Sequence, residues 1–395
     1  MKNETPSSYE DAAELLRAAA ADGRPVRFRG GGTKLGWGRA VPEPDLELCT
    51  GGLNRVLEHN AGDFTAVLQA GVPLALAQER FAAAGQMLAL DPPTSPWGGA
   101  GDDATLEAAD AGATIGGIVA TNDSGPLRHK YGGVRDLVVG VTVVLSDGTV
   151  ARAGGKVIKN VAGYDLGKLF AGAFGTLGLI AEVTVRLHPK PARSGTVVAR
   201  ADDVAPLAAG AAALAHAPLE ADCLDLWWNA GAGAVLARFG SGDPGPRLSE
   251  AAALLGKIDG LSVDVDGDDE ACWEAQRSAQ RGDVVVKVSA LPATLPAAAA
   301  ATQSLGGTLV ARAGLGLAWI RLPAAGDGAE TAAGIESLRA TLAPAPCVVL
   351  DAPADVRAAL DPWGDRTGPV DLMRKVKARF DPAGVCAPGL FVGGI

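Results

Sequence analysis

The run VRFRGGGTKLGWG, residues 26–38, places Gly30, Gly31 and Gly32 directly after a strand-like segment. Residues without a Cβ leave the backbone bare, so the chain can turn sharply there or lie close against another group. Three readings compete: a plain turn, a dinucleotide-binding loop between strand and helix, or a loop that lies against some other phosphate-bearing ligand. The dinucleotide loop fails on spacing, and the LGWGRAVPEP that follows is not a helical pattern. A bare amide-lined turn flanked by Arg29 and Lys34 fits a diphosphate better.

Two later stretches repeat the theme. GATIGGIVATNDSG (112–125) carries Gly116-Gly117 for close approach and Thr121, Asn122 and Ser124 as neutral hydrogen-bonding groups, and GAFGTLGLIAE (172–182) again leads glycines into a strand. Each alone is more often a structural turn; three in order are harder to dismiss. The strict GxGxxG pattern lies elsewhere, at Gly240, Gly242 and Gly245 of GSGDPG. AVLARF precedes it as a strand, RLSEAAALLGKI follows as a helix, and Asp264 or Asp266 stands where a ribose-binding acid belongs. Against it, Pro244 removes an amide and Asp243 sets a negative charge beside a would-be pyrophosphate. The plainer reading, a loop in a β-α-β unit, is preferred.

Composition narrows the function classes. The 395-residue chain has room for two or three domains with sizeable cores. Its formal charge of -10 excludes a broad basic field for nucleic acid. Cys49, Cys223, Cys272, Cys347 and Cys386 form no CxxC pair, and His59, His129, His188 and His216 show no metal-ligand spacing, so no iron–sulfur cluster, zinc site or other metal site is expected. The polar N-terminus lacks an apolar h-region, and the longest mild apolar run, VAPLAAGAAALAHAP, is too short and too broken to span a bilayer. The expectation is a soluble cytoplasmic protein, with any membrane association arising through partners.

Along the chain, SSYEDAAELLRAAAADG predicts a helix with a capping box from Ser7 and Glu10 and a stop at Gly23. DLVVGVTVVLSDGTVARAG predicts a hairpin with a type I′ turn at Asp147-Gly148. Beyond about residue 192, alanine-rich helices alternate with strands such as DVVVKVSAL and LAWIRLP, giving a second α+β domain. DLMRKVKARF predicts a basic helix before a Pro/Gly-rich end.

Three segments carry a resemblance. VRFRGGGTKLG, ATIGGIVATNDSGPLRHKYGGVRDLVVGVTVVLSDG and GGKVIKNVAGYDLGKLFAGAFGTLGLIAEVTVRLHPKP resemble the FAD-binding domain of the vanillyl-alcohol oxidase / p-cresol methylhydroxylase (PCMH) superfamily. More narrowly, GGKVIKNVAGYDL and FDPAGVCAPGLFVGGI resemble the FAD-binding E subunits of bacterial glycolate oxidase. The match spans about residues 8–192 and 370–395, and the middle agrees only in texture. It implies an α+β fold: a two-lobed PCMH-type FAD-binding domain (1–192), an α+β cap domain (193–367) and a C-terminal segment (368–395) returning to the FAD domain. Carried over by position, Phe28, Arg29, Gly30, Gly31, Gly32, Thr33 and Lys34 would wrap the pyrophosphate. Thr114, Ile115, Gly116, Gly117, Thr121, Asn122, Asp123 and Ser124 would line the phosphate and flavin side, with Pro92 also counted as cofactor-binding. Phe174, Gly175, Thr176, Leu177, Gly178, Leu179 and Ile180 would offer backbone groups to the ring's polar edge and the adenine half. Lys156 and Lys159 are candidates to set positive charge near the flavin, or else a solvated hairpin end.

Two departures matter. Relatives with covalently bound flavin carry a histidine just after the glycine run; here Thr33-Lys34 stands instead, so FAD should bind non-covalently. The acidic insert at 98–111 (Asp102, Asp103, Glu107, Asp110) is either a partner-facing flap or an ordinary surface loop. Hydroxy-acid oxidising relatives cluster histidines in the C-terminal half, whereas this chain has His216 alone there. Arg277, Arg281 and Arg321 read as surface arginines, and no catalytic residue is assigned. The reading is therefore a flavin-bearing subunit of a multi-subunit glycolate (2-hydroxy acid) oxidase, inactive alone, beside a paralogous catalytic FAD subunit and an iron–sulfur subunit. A stand-alone FAD-dependent oxidase of a hydroxy acid or alcohol is the alternative; a scaffold that has lost its flavin ranks third, because the glycine loops are intact. GVCAPGLFVGGI and Trp227-Trp228 are candidates for a partner-contact patch, unless they fill cores of their own.

Overall fold

Residues 1–94, 112–155, 165–267, 269–324, 327–365 and 368–395 are described in the computed structural model. Lys156, Lys159 and the acidic insert lie outside them. Backbone contacts divide the chain into two units, Met1–Ser124 with Gly132–Lys190 and Asp365–Ile395, and Gly125–Tyr131 with Pro191–Gly364. The short segment 125–131 thus groups with the second unit although it sits inside the first in sequence.

The first unit opens with the expected helix, Tyr9–Ala21, closed by Gly23 in the left-handed region (φ 66). Its cap lies one residue later than the sequence reading. Ser8 Oγ accepts from Asp11 N at 3.0 Å, while the Asp11 carboxylate accepts from Ser7 N and Oγ at 3.2 and 2.6 Å. Val26–Arg29 joins Leu46–Cys49 and Lys2–Glu4 in a three-stranded parallel sheet, ordered Lys2–Glu4, Leu46–Cys49, Val26–Arg29. The apolar residues of this sheet and the helix share one core, with Ala12, Leu16, Val26, Leu46 and Leu48 all at most 2% exposed.

Strand Val26–Arg29, which delivers the chain into the glycine run, lies on the sheet edge, and the C-terminal tail covers that edge. Val26 N donates to Val385 O and Ala387 N donates to Val26 O, both at 2.8 Å. Lys377, on helix Val370–Phe380, locks the tail: its ammonium donates to Asp381 Oδ2 (2.6 Å), Cys386 O (2.6 Å) and Thr176 O (2.7 Å). Phe391 stacks on Phe174 at 5.5 Å. The tail therefore fills its own unit instead of presenting an apolar patch.

A five-stranded antiparallel sheet completes the unit, in the order Val56–Asn60, Thr65–Gln69, Leu179–Arg186, Val138–Val144, Val150–Gly154. The hairpin 138–154 forms as expected, but its turn differs. Gly148 N donates to Leu145 O at 2.9 Å, and Gly148 (φ 80) is left-handed while Asp147 is not. A type I turn ending in a left-handed glycine replaces the type I′ turn, which needs positive φ at both central residues.

The second unit is a duplication. Arg193–Ala201, helix Val204–His216, Cys223–Asn229, Ala232–Ser241, helix Gly245–Leu255 and Ser262–Asp266 make one β-α-β-β-α-β unit. Val284–Ser289, helix Leu295–Ser304, Thr308–Arg312, Leu317–Leu322, helix Gly328–Leu342 and Cys347–Asp351 make a second. Their strands form one eight-stranded sheet, in which the second strands of the two halves, Cys223–Asn229 and Thr308–Arg312, pair antiparallel at the seam. One face carries the helices over a core that includes Trp228 (4% exposed). On the opposite face Trp273 donates to Thr196 Oγ1 at 2.7 Å and packs with Val198, Cys223 and Ala234, with Trp227 against them. The two tryptophans at 227–228 thus belong to cores.

Candidate functional site

The GxGxxG segment can be set aside on geometry. Strand Ser262–Asp266 pairs not with Ala232–Ser241 but with Arg193–Ala201, which lies between them, so the adjacent parallel strands of a dinucleotide fold are missing. The amide of Gly245, at the helix start, donates to Asp243 Oδ1 at 3.0 Å. The acid that argued against a phosphate there occupies the phosphate's donor.

The three glycine stretches of the first unit, by contrast, meet. A Cβ on Gly30 would overlap Thr114 Oγ1, and one on Gly31 would overlap the carbonyl oxygen of Gly112. A Cβ on Gly175 (φ +76) would come within 2.9 Å of the Phe28 ring, and one on Gly172 within 3.1 Å of Asn122 Cβ. Gly172 N and Phe174 N donate to Val119 O and Ala120 O, both at 2.9 Å, tying the third stretch to the helix Ile115–Thr121 of the second. Residues far apart in sequence are bare of side chains because their backbones touch one another.

Their donors are not equally available. Ile115 N donates to Val72 O (2.9 Å) and Gly116 N to Ala70 O (2.7 Å), while Gly117 N is capped by Thr114 Oγ1 (3.4 Å). Gly116 also packs directly on Ala70. The second stretch therefore spends these amides on the neighbouring loop. Gly32 O accepts from Leu35 N at 3.5 Å, but the amides of the half-exposed Gly31 and Gly32 donate to no group among the described residues, so the donors available to a diphosphate are those of the first stretch. Thr121 Oγ1 donates back to Gly117 O at 2.8 Å. Asn122 takes a left-handed conformation (φ 51) and buries Oδ1 without a hydrogen-bond partner. A buried orphan acceptor beside bare backbone is what a polar ligand edge would satisfy.

The remaining sequence candidates divide. Ile115, Leu177, Leu179 and Ile180 are apolar core, between 1 and 6% exposed, so only their backbones can face a ligand; Pro92 is likewise buried. Thr176 Oγ1 donates to Ala173 O (2.7 Å), and Gly178 (φ +137) lies against Val144 O. Ser124 N donates to Asp123 Oδ1 at 2.9 Å. Thr33 is buried, and Lys34 and Asp123 contact each other at 3.2 Å with side chains 5% and 4% exposed. These two are partners across the first and second stretches.

Sequence reasoning missed Glu47. It is wholly buried and pairs with Arg27 (2.5 Å) and Arg29 (3.2 Å) from the adjacent parallel strand. The signal was present: one acid in the apolar LELC beside two arginines at alternate positions of VRFR. It also missed Lys377. Burial and Glu47 push the Cys49 thiol above its ordinary range, so it stays neutral.

The histidines are dispersed. His59 shares a 2.9 Å hydrogen bond with Gln86, and His216 bonds Ala212 O of its own helix at 2.7 Å. His129, in segment 125–131, packs on Gly314, and desolvation lowers its basicity. No group of three potential metal ligands occurs among the described residues. Arg277 pairs with Glu270 and Glu274, and Arg281 with Asp351. No helix among the described residues is long and apolar enough to cross a membrane.

A mixed α/β unit with converged glycine turns, followed in the chain by a unit built on one large antiparallel sheet, is a fold of the PCMH type. Residues 4–101 and 104–154 match the FAD binding domain family, and the first unit carries an FAD-binding domain of that family. The chain is 34% identical over 199 residues to glycolate oxidase subunit GlcD of Bacillus subtilis, covering 50% of this chain and 39% of that protein. It is 33% identical over 182 residues to glycolate oxidase subunit GlcE of Escherichia coli, covering 46% of this chain and 47% of that one. A D-lactate dehydrogenase of Archaeoglobus fulgidus is 34% identical over 194 residues, covering 49% of this chain and 40% of the relative. The match thus spans less than half the length of each of these relatives. An alkyldihydroxyacetonephosphate synthase shares the fold over 98% of this chain and 75% of its own, with a TM-score of 0.70 and 15% identity. The cofactor is FAD, and the relatives that this chain resembles include FAD-linked oxidoreductases.

Proposed function

We propose that this chain is the flavin-bearing subunit of a multi-subunit 2-hydroxy-acid oxidase of the glycolate type, working beside a paralogous catalytic flavoprotein and an iron–sulfur protein. The observation that carries the reading is the convergence of the three glycine stretches around Gly31–Gly32, Thr114–Gly117 and Asn122. It fits FAD, because unspent amides at Gly31 and Gly32 suit a diphosphate and the orphan Asn122 Oδ1 suits a donor on the flavin. When bound, the flavin supplies two-electron redox chemistry. The protein's own share is to hold the diphosphate on bare backbone, to present Asn122 and the turn 174–178, and to seal that turn with Lys377 and Phe391. Binding is non-covalent: Thr33 and Lys34 offer no imidazole, and Lys34 is committed to Asp123.

The subunit reading is supported by the similarity to GlcD and GlcE and by the histidines. A general base must reach the substrate proton with a basicity near working pH, whereas His59 is engaged by Gln86, His216 by a carbonyl of its own helix, and desolvation lowers the basicity of His129. The test is anaerobic stopped-flow mixing of the FAD-loaded chain with glycolate. The flavin band should persist on the timescale of turnover and bleach only once the partners are added. Rapid bleaching by glycolate alone would establish the stand-alone oxidase instead.

A further inference from the structure

Two cations flank the glycine run, and their surroundings differ. Lys34 is buried, contacts Asp123 at 3.2 Å and donates to Thr33 Oγ1 at 3.3 Å. Its charge is cancelled in place. Arg29 shares the single buried carboxylate of Glu47 with Arg27, so two positive charges meet one negative. Arg29 reaches Glu47 through Nη1 alone, and its side chain is 23% exposed. Its Nε and Nη2 lie 3.3 and 3.5 Å from where a Gly32 Cβ would stand, alongside the left-handed turn (φ +72) whose amides are unspent.

Resting on the FAD-site reading above, we infer that the two cations have different tasks. Arg29, oriented by Glu47, is the charge that meets the diphosphate. Lys34 with Asp123 is a positioning pair that joins the first glycine stretch to the 121–124 turn and does not touch the ligand. The surplus charge of the Arg27–Glu47–Arg29 group is then aimed over the bare amides of Gly31 and Gly32, where donors and charge act on the same anion. Lys34, by contrast, fixes the spacing between the two stretches, since separating them would leave a buried carboxylate unpaired.

The experiment compares four variants in apo form, Arg29→Gln, Lys34→Met, Asp123→Asn and the double Lys34→Met/Asp123→Asn. Each is titrated calorimetrically with FAD and, separately, with ADP as a probe of the diphosphate half, after its apo melting temperature is recorded. Arg29→Gln should fold normally, because Arg27 still neutralises Glu47, and should weaken FAD and ADP alike by about ten- to a hundredfold, as loss of one charge-assisted hydrogen bond predicts. Lys34→Met should lower the apo melting temperature and weaken FAD. The double variant keeps the Ser124 N–H bond to the side-chain oxygen at 123, and it should recover both properties to within about threefold of the parent affinity. Unchanged ADP affinity in Arg29→Gln, or a double variant as weak as Lys34→Met, would overturn the division. A parent chain that takes up neither ligand would instead refute the FAD site itself. Should Lys34→Met fail to fold, the double variant alone still decides the role of Lys34.

Discussion

Three glycines with different surroundings separate ligand contact from folding. A Cβ at Gly31 would overlap Gly112 O, backbone against backbone, with no side chain able to yield. Gly31→Val should therefore cost about 1–3 kcal/mol or more of stability, which is about 2–4 °C in melting temperature per kcal/mol for a unit of this size. A Cβ at Gly117 meets only Thr114 Oγ1 at 3.3 Å, and the residue sits in a helix, where valine is no worse than glycine. Gly117→Val should keep stability within about 0.5 kcal/mol while weakening FAD at least about tenfold, because the new methyls would enter the open space beside Thr114 that the proposed site assigns to the cofactor. At Gly242 a Cβ would find nothing within 4 Å, so Gly242→Val should change neither quantity. The assay is the apo melting temperature of each variant followed by fluorescence titration with FAD. If Gly117→Val bound FAD within about threefold of the parent, the assignment of that face would be refuted. Loss of FAD in Gly242→Val would refute the choice between the two glycine motifs.

Other outcomes follow from single interactions. Lys377→Met removes three hydrogen bonds and leaves the buried Asp381 without its counter-charge, although Val385 N and Cys386 N still donate to it, so it should cost about 3 kcal/mol and raise amide exchange through 381–391. Burial pushes the Asp225 carboxyl up to about 7, and the Arg312 charge offsets this only in part. The folded state then holds a proton more tightly than the unfolded chain between the ordinary carboxylate value and about 7, so this group adds stability as pH falls through that window. Denaturant melts at pH 8 and pH 6 should show about 1 kcal/mol gained from it at the lower pH, a gain that Asp225→Asn abolishes. Acid precipitation of the loaded protein should release all flavin to the supernatant; yellow colour retained in the pellet would show a covalent link.

Much of the candidate site's bare backbone was legible because glycine runs are local signals whose spacing survives without tertiary information. Gly30–Gly32, Gly116–Gly117 and Gly172–Gly178 announce bare backbone in the sequence, but not what the backbone approaches. Gly116 packs on Ala70, so its need for glycine is met inside the protein rather than by a ligand. Likewise Lys34 and Asp123, both read as ligand-facing, are eighty-nine positions apart and reveal their pairing only once the stretches fold together. The helix at 9–21 and the hairpin at 138–154 were readable from period and turn chemistry, yet the cap of one and the turn of the other shifted, as boundaries do when neighbouring side chains compete. The duplicated sheet was invisible because alternating strands and helices do not encode strand order. The grouping of 125–131 with the second unit depends on contacts such as Lys130 with Asp222 at 2.6 Å, made ninety-two positions away.

The central claim is that the converged glycine stretches, and not the GxGxxG loop, form one nucleotide site specific for FAD. Calorimetric titration of the apo chain with FAD and with NAD tests it most directly. One FAD per chain, no binding of NAD, and an FAD isotherm unaltered by Gly242→Val are expected. Saturable NAD binding that Gly242→Val abolishes, or no uptake of FAD, would contradict it.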